Sequence, residues 1–176
     1  MLIINANKIS RLIDFKFLIK ELKLTYKNAE YVPKRELYNI NNDVPENSQL
    51  LTMPAFIKKK YYGVKLLNVF PNNPLKGMER VRAIYVLFNK NNGEALAIID
   101  GTILTKFRTA AMSALASSYL SKKNSKKLLI MGTGALVPYM ISAHASVRPI
   151  DEVFVWGRDY TKAKKVVSNY KNSKLN

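Results

Sequence analysis

The sequence contains no cysteine and a single histidine, His144, among 176 residues. No disulfide, thiolate nucleophile or cysteine-based zinc site can form, and one histidine cannot build a multi-histidine metal centre. No run approaches the ~18 consecutive apolar residues of a membrane span. The opening, Met1 to Asp14, lacks the basic segment followed by a long apolar one that marks a signal peptide. A cytoplasmic location with no membrane partner is the expectation. Acidic residues are scarce too: 12 against 29 Lys and Arg, for a net charge of +17. That balance invites a nucleic-acid partner. The distribution argues against nucleic acid, because only seven of the basic residues are Arg and the Lys are spread along the chain. The densest cluster, Lys58 to Lys60, sits between apolar segments and reads as a solvated turn.

What is present is an apolar fraction of 48%, enough for a core. Phe15, Leu18, Ile19, Leu22 and Tyr26 recur at helical spacing behind a capping Asp14. Pro33, Pro45 and the run Asn41-Asn42-Asp43 read as extended or loop structure. Residues 49 to 99 read as strands, with the last two joined by a hairpin at Asn92-Gly93. A mostly antiparallel sheet follows. A helix is expected from Leu104 to Lys123, rich in Ala110, Ala111, Ala114 and Ala116, whose small side chains allow close helix packing. Then the pattern changes. A strand from Lys127 to Met131, a helix from Ala135 to Ser146, a strand ending at Gly157 and a final helix from Tyr160 give β-α-β-α. The fold class expected is α/β, with a first domain over residues 1–124 and a partial Rossmann dinucleotide-binding domain over 125–176.

The turn Gly132-Thr133-Gly134-Ala135-Leu136 follows a strand and opens a helix, as a phosphate-binding glycine loop requires. Gly132 would permit the tight turn and Gly134 would let a pyrophosphate approach the backbone. Val137 stands at the third fingerprint position, which is usually Gly or Ala. A purely structural turn is the competing reading. The next strand ends Trp156-Gly157-Arg158, without the carboxylate that would bind an NAD ribose. Arg158, and Lys162 one turn on, could instead bind a 2′-phosphate. NADP is therefore the expected cofactor, with NAD the alternative. Outside the turn, Lys65, Arg35 and Arg108 are candidates to hold a carboxylate or phosphate. Lys65 alternates with Tyr61, Gly63 and Leu67 along one strand face. A buried lysine there could transfer protons, although a snorkelling surface Lys is the commoner case.

Two longer patterns are more specific than the glycine turn. They are K-x-x-N-x-x-P-x-N from Lys65 to Asn73 and D-G-x-x-L-T-x-x-R-T-A-A from Asp100 to Ala111. With "MPA", "LLIMGTGA" and "HASVRPIDEVFVWGR", in this order from about Pro33 onward, the chain resembles the ornithine cyclodeaminase/mu-crystallin family. The resemblance implies a homodimer whose subunit joins an antiparallel dimerisation and substrate domain to a Rossmann domain. It implies hydride transfer at the Cα of an amino or imino acid. By position, Arg35 resembles the arginine that grips the substrate carboxylate, and Lys65 the lysine beside the reacting centre. Arg108 resembles the arginine near the cofactor pyrophosphate, and Ala135 and Leu136 the backbone positions over the diphosphate.

Four departures from the family pattern shape the expectation. Arg80, in "GMERV", replaces a small hydroxyl residue. Gly157 replaces the Asp of NAD-using cyclodeaminases. Leu51-Thr52 stand before Met53-Pro54, where cyclodeaminases carry an acidic residue. The last two favour an imine reductase, acting on pyrroline-2-carboxylate, over an ornithine cyclodeaminase, and a non-catalytic mu-crystallin-like binding protein stands as a further alternative. Finally, the family continues to a catalytic Asp that nothing here matches. The expectation is an N-terminal portion, inactive alone, that is either truncated or one half of a split gene with a separately encoded C-terminal half.

Overall fold

The structure is a computed structural model that describes residues 1–28, 33–40, 47–56 and 61–168. The expected turn at Lys58 to Lys60, the loop around Asn41 to Pro45 and the end of the last helix lie outside them. The chain divides into two compact units, Met1–Leu12 with Asn28–Thr105, and Ile13–Lys27 with Lys106–Asn176.

The first unit is built on a six-stranded mixed sheet in the order β1-β6-β5-β4-β3-β2. Its strands are β1 (Leu2–Ile4), β2 (Glu36–Asn39), β3 (Gln49–Phe56), β4 (Tyr61–Val69), β5 (Val81–Asn89) and β6 (Ala95–Asp100). β2 through β6 pair antiparallel, as the strand-rich sequence leads one to expect. The Asn-Gly turn closes the β5–β6 hairpin, with the Gly93 N–H donating to the Asn89 carbonyl at 2.9 Å. Cross-strand rings lock the register. Tyr62 stacks on Phe56 at 5.9 Å and on Phe88 at 5.0 Å. Two elements were not anticipated. β1 pairs parallel with β6, and the short helix α1 (Ala6–Leu12) follows it, buried through Ile9 and capped by Asn5. Three strand residues and seven helical ones are too few for a periodic signal.

The Asp-Gly-Thr at the start of the next helix has a physical reading. α3 (Gly101–Leu120) begins three residues before the expected Leu104. Asp100 accepts the Ile103 N–H at 3.0 Å, an N-cap. The Thr102 hydroxyl accepts the Ala83 N–H at 2.9 Å, tying the helix start to β5. A Cβ at Gly101 would lie 2.8 Å from the backbone of Ala83 and Ile84, so only glycine lets the helix come this close. Tertiary contact here overrides the poor helix propensity of glycine.

The second unit centres on helix packing. α2 (Phe15–Asn28) starts at Asp14, whose carboxylate accepts the Phe17 N–H at 2.8 Å. Ala110, Ala111 and Ala114 on α3 are wholly buried, as is Ala143 on α4 (Val137–Ala145), and Ile19 packs with them. Phe107 joins Phe15 at 5.2 Å and meets Tyr139 edge-on at 5.0 Å. β7 (Lys127–Met131) and β8 (Glu152–Trp156) form a two-stranded parallel sheet, followed by α5 (Tyr160–Ser168).

α3 ends without a basic residue in its last turn, and Arg148 supplies the missing charge from a distance. Its guanidinium donates to the carbonyls of Ser117, Ser118 and Ser121 at 2.8 to 3.1 Å and to the Ser121 hydroxyl at 2.9 Å. Arg148→Ala leaves these groups in part unsatisfied and is expected to cost about 2–3 kcal/mol by denaturant unfolding, with Lys recovering less than half. His144 shares a hydrogen bond with the Ser113 hydroxyl at 3.1 Å, and burial pushes its pKa below the ordinary 6.5. The unfolded state then binds more protons, so stability should fall as pH drops through about 6.5 toward the lower folded value. A His144→Gln variant should show a shallower loss between pH 7.5 and 5.5, read as ~ΔCm by urea titration.

Candidate functional site

Within the second unit the glycine turn leaves β7 and enters α4. Gly132 has φ of +133°, a conformation open to glycine, and its N–H donates to the Trp156 carbonyl at 2.7 Å. The turn is therefore pinned to the end of β8. Val137 N–H donates to the Gly134 carbonyl at 3.1 Å as the helix begins. Leu136 at the N-cap offers no capping side chain, and Pro138 in the first turn has no N–H to satisfy. The first turn of α4 carries no acidic residue, so the positive end of its dipole is not neutralised locally.

A cleft of about 320 Å³ lies over this turn. Thr133, Gly134, Ala135 and Pro138 form one wall, and Lys162, Lys165 and Val166 of α5 the other. No carboxylate lines it. The nearby Asp159 is bound to Lys162 of the cleft wall: it accepts the Lys162 N–H at 3.2 Å, and that bond holds its carboxyl pKa below the usual value. Its ion pair with the Lys162 ammonium, at 3.6 Å, is exposed and weak.

The glycines of this region divide by cause. Gly132 is required by its φ. Gly157, just past β8, is favoured by packing, since a Cβ there would lie 2.6 Å from the Thr133 methyl in its observed rotamer. Gly134 is required by neither. Its φ is not positive, and a Cβ there would meet no protein atom within 4 Å. The space above Gly134 is open, which is what a diphosphate approaching the backbone needs. On this geometry the turn fits a dinucleotide phosphate.

The residues singled out from sequence fall in different places. Thr133, Gly134, Ala135 and Lys162 line one cleft, with Gly132 and Leu136 flanking it in the chain. Arg158 is exposed beyond β8. Arg108 is exposed on α3 and donates to the Tyr26 hydroxyl at 3.3 Å. Lys165 was overlooked, although its spacing of three from Lys162 puts both on one helix face.

In the first unit, Lys65 is half-buried at the middle of β4, paired with Met53 on β3 and Tyr85 on β5. Burial pushes the Tyr85 hydroxyl pKa up. Arg35, exposed, immediately precedes the Glu36–Thr52 pair, so it stands at the level of Met53. Continuing the β2–β3 register by one residue would set Arg35 at the level of Lys65 with β3 between them, roughly 10 Å apart at the backbone. Two long cationic side chains at that spacing can converge on one carboxylate. Among the described residues no group of three metal-ligating side chains occurs, and no helix is long and apolar enough to cross a membrane.

A mixed-sheet unit, with a β-α-β-α run built on two parallel strands in the second unit, defines an α/β fold. Comparison with known proteins makes this specific. The model of the ornithine cyclodeaminase/mu-crystallin family matches residues 8–176, and the chain belongs to that family. It is 36% identical to a delta(1)-pyrroline-2-carboxylate reductase of Colwellia psychrerythraea over 97% of its own length and 54% of the relative's. A Thermococcus litoralis delta(1)-pyrroline-2-carboxylate reductase, solved with NADH and L-proline, superposes with a TM-score of 0.85 at 30% identity, over 96% of this chain and 53% of the other. An archaeal alanine dehydrogenase dimer with bound NAD superposes with a TM-score of 0.83 at 30% identity, over 96% and 52%. The chain therefore spans about half the length of the relatives it matches.

The division of the glycines has a direct consequence. Gly132→Ala should lower the unfolding midpoint by about 3 °C or more, because alanine resists that φ. Gly134→Ala should leave the midpoint within about 1 °C, because nothing in the protein is displaced.

Proposed function

We propose that this chain carries the substrate-binding part and the first nucleotide-binding part of an NADPH-dependent reductase of cyclic imino acids, converting pyrroline-2-carboxylate to L-proline. The observation that carries the cofactor reading is the open space over Gly134 beneath a cationic rim. When bound, NADPH supplies a hydride to the imine carbon, and a proton on the ring nitrogen completes the amine. Ala135 and Leu136 would face the diphosphate with backbone N–H groups at the start of α4. Lys162 and Lys165, with Arg158 beyond β8, support a 2′-phosphate over a bare ribose. Arg35 and Lys65 would hold the substrate carboxylate and so keep the imine carbon in reach, an orientation effect. Arg108 is assigned to the pyrophosphate side on the family resemblance. Leu51-Thr52, in place of an acidic residue, supports an imine substrate over ornithine.

The same proposal includes a homodimer, on the likeness to the archaeal alanine dehydrogenase dimer, and a cytoplasmic location. It also includes a further α/β segment that completes the nucleotide unit. One face of the β7–β8 sheet supports this. Leu129, Met131, Phe154 and Trp156 are 61%, 74%, 49% and 55% exposed, and they lie side by side in register. Parallel sheets are covered on both faces, so four large apolar side chains in water call for a cover.

The chain alone is expected to bind NADPH at least ~10-fold more tightly than NADH, measured by fluorescence titration. It should turn over pyrroline-2-carboxylate slowly or not at all until a segment covering the Trp156 face is supplied. Once activity is reconstituted, Lys65→Met and Arg35→Met should each lower kcat/KM by ~10²-fold or more, as lost carboxylate clamps do. Tighter NADH binding, or full activity of the chain alone, would overturn these assignments.

A further inference from the structure

Gly157 and Thr133 are coupled. The Gly132 N–H to Trp156 carbonyl bond, at 2.7 Å, draws the end of β8 against the glycine turn. At that approach a Cβ on residue 157 would stand 2.6 Å from Thr133 Cγ2 and 3.6 Å from its Oγ1. The first distance is far inside carbon–carbon contact, which is optimal near ~3.5–4.0 Å. Of the two other staggered rotamers of Thr133, one puts the hydroxyl there and the other moves the methyl to the place that the hydroxyl holds at 3.6 Å, so relief requires a χ1 turn away from the observed rotamer. Without those two atoms, the next neighbour would be the Asp159 carbonyl oxygen at 3.8 Å, an ordinary contact. Thr133 also lines the cleft. In the observed rotamer, the space that a side chain at 157 would take is thus occupied by a residue of the glycine turn itself.

We propose that Thr133 is a determinant of cofactor choice. Its methyl group fills the space that a side chain at 157 would need, and so disfavours a carboxylate at 157 in addition to Asp159, which already pairs with Lys162. This rests on the NADPH reading above. Selectivity is therefore a property of the Thr133–Gly157 pair, and a carboxylate introduced at 157 alone disrupts the turn before it can bind a ribose. Thr133 acts here as a positioning residue, through the strand end.

The test is a double-mutant cycle on the full chain, read by thermal unfolding and by NADPH and NADH titration. Gly157→Ala and Gly157→Asp are each made with Thr133 and with Thr133→Ala. The alanine pair isolates the packing clash from the charge and keeps the fold within reach. With Thr133 present, Gly157→Ala should lower the midpoint by about 4 °C or more. With Thr133→Ala the loss should shrink to less than half. Gly157→Asp should weaken NADPH without gaining NADH, whereas the double variant should invert the preference, a change of ~10²-fold in the ratio of dissociation constants. Equal midpoint losses in both backgrounds would overturn the coupling. So would a switch to NADH by Gly157→Asp alone. A wild-type chain that prefers NADH, or binds neither, overturns the NADPH reading and with it the role in cofactor choice, whereas the melting cycle still reports whether the two residues clash.

Discussion

The buried alanine face of α3 is the constraint on which most of the second unit depends. Ala110, Ala111 and Ala114 leave room for α2 and α4 to approach within the reach of single methyl groups, and Ala143 returns the same small surface. Larger side chains at any of these four wholly buried positions would strain the packing of the helices. The ends of α3 are held by equally specific means. Asp100, Gly101 and Thr102 fix its start against β5, and the Arg148 guanidinium gathers three carbonyls at its end. The stretch Asp100 to Ala111, which reads as a family signature, is explained largely by this packing and capping.

The nucleotide turn depends on that frame in a simpler way. α4 packs on α3 through Ala143, and α4 carries the turn at its N-terminus. β8 then fixes the turn from the other side through Gly132 and Trp156. What remains unfilled is the space over Gly134, bordered by lysines and by the positive end of a helix. The proposed polyanion site rests on that arrangement of backbone and charge.

Much of this was legible in the sequence where the signal is local. β7 is bounded by Lys127 and Met131 as read, because a short apolar run ends at a glycine turn. Asp14 caps α2 as read, because capping depends on one side chain and one N–H. The start of α3 was placed too late, because its first turn is held by β5 and glycine hides that. β1 was missed because its only partner, β6, lies far along the chain. At the site, the glycine turn and Lys162 were visible as a motif with flanking charge. The different causes behind Gly132, Gly134 and Gly157 were not, since one letter stands for a φ, an open space and a close contact. Lys165 was overlooked among neighbouring lysines whose directions only the helix settles.

The central claim is that the cleft over Gly134 receives the phosphates of an NADP-type dinucleotide. The most direct measurement is an amide NMR titration of the chain with 2′-phospho-ADP-ribose, which carries those phosphates without the nicotinamide. The account predicts saturable shifts concentrated at Thr133 to Leu136 and at Lys162 to Val166. Unchanged amides in both segments at saturating ligand, or shifts centred elsewhere, would contradict it.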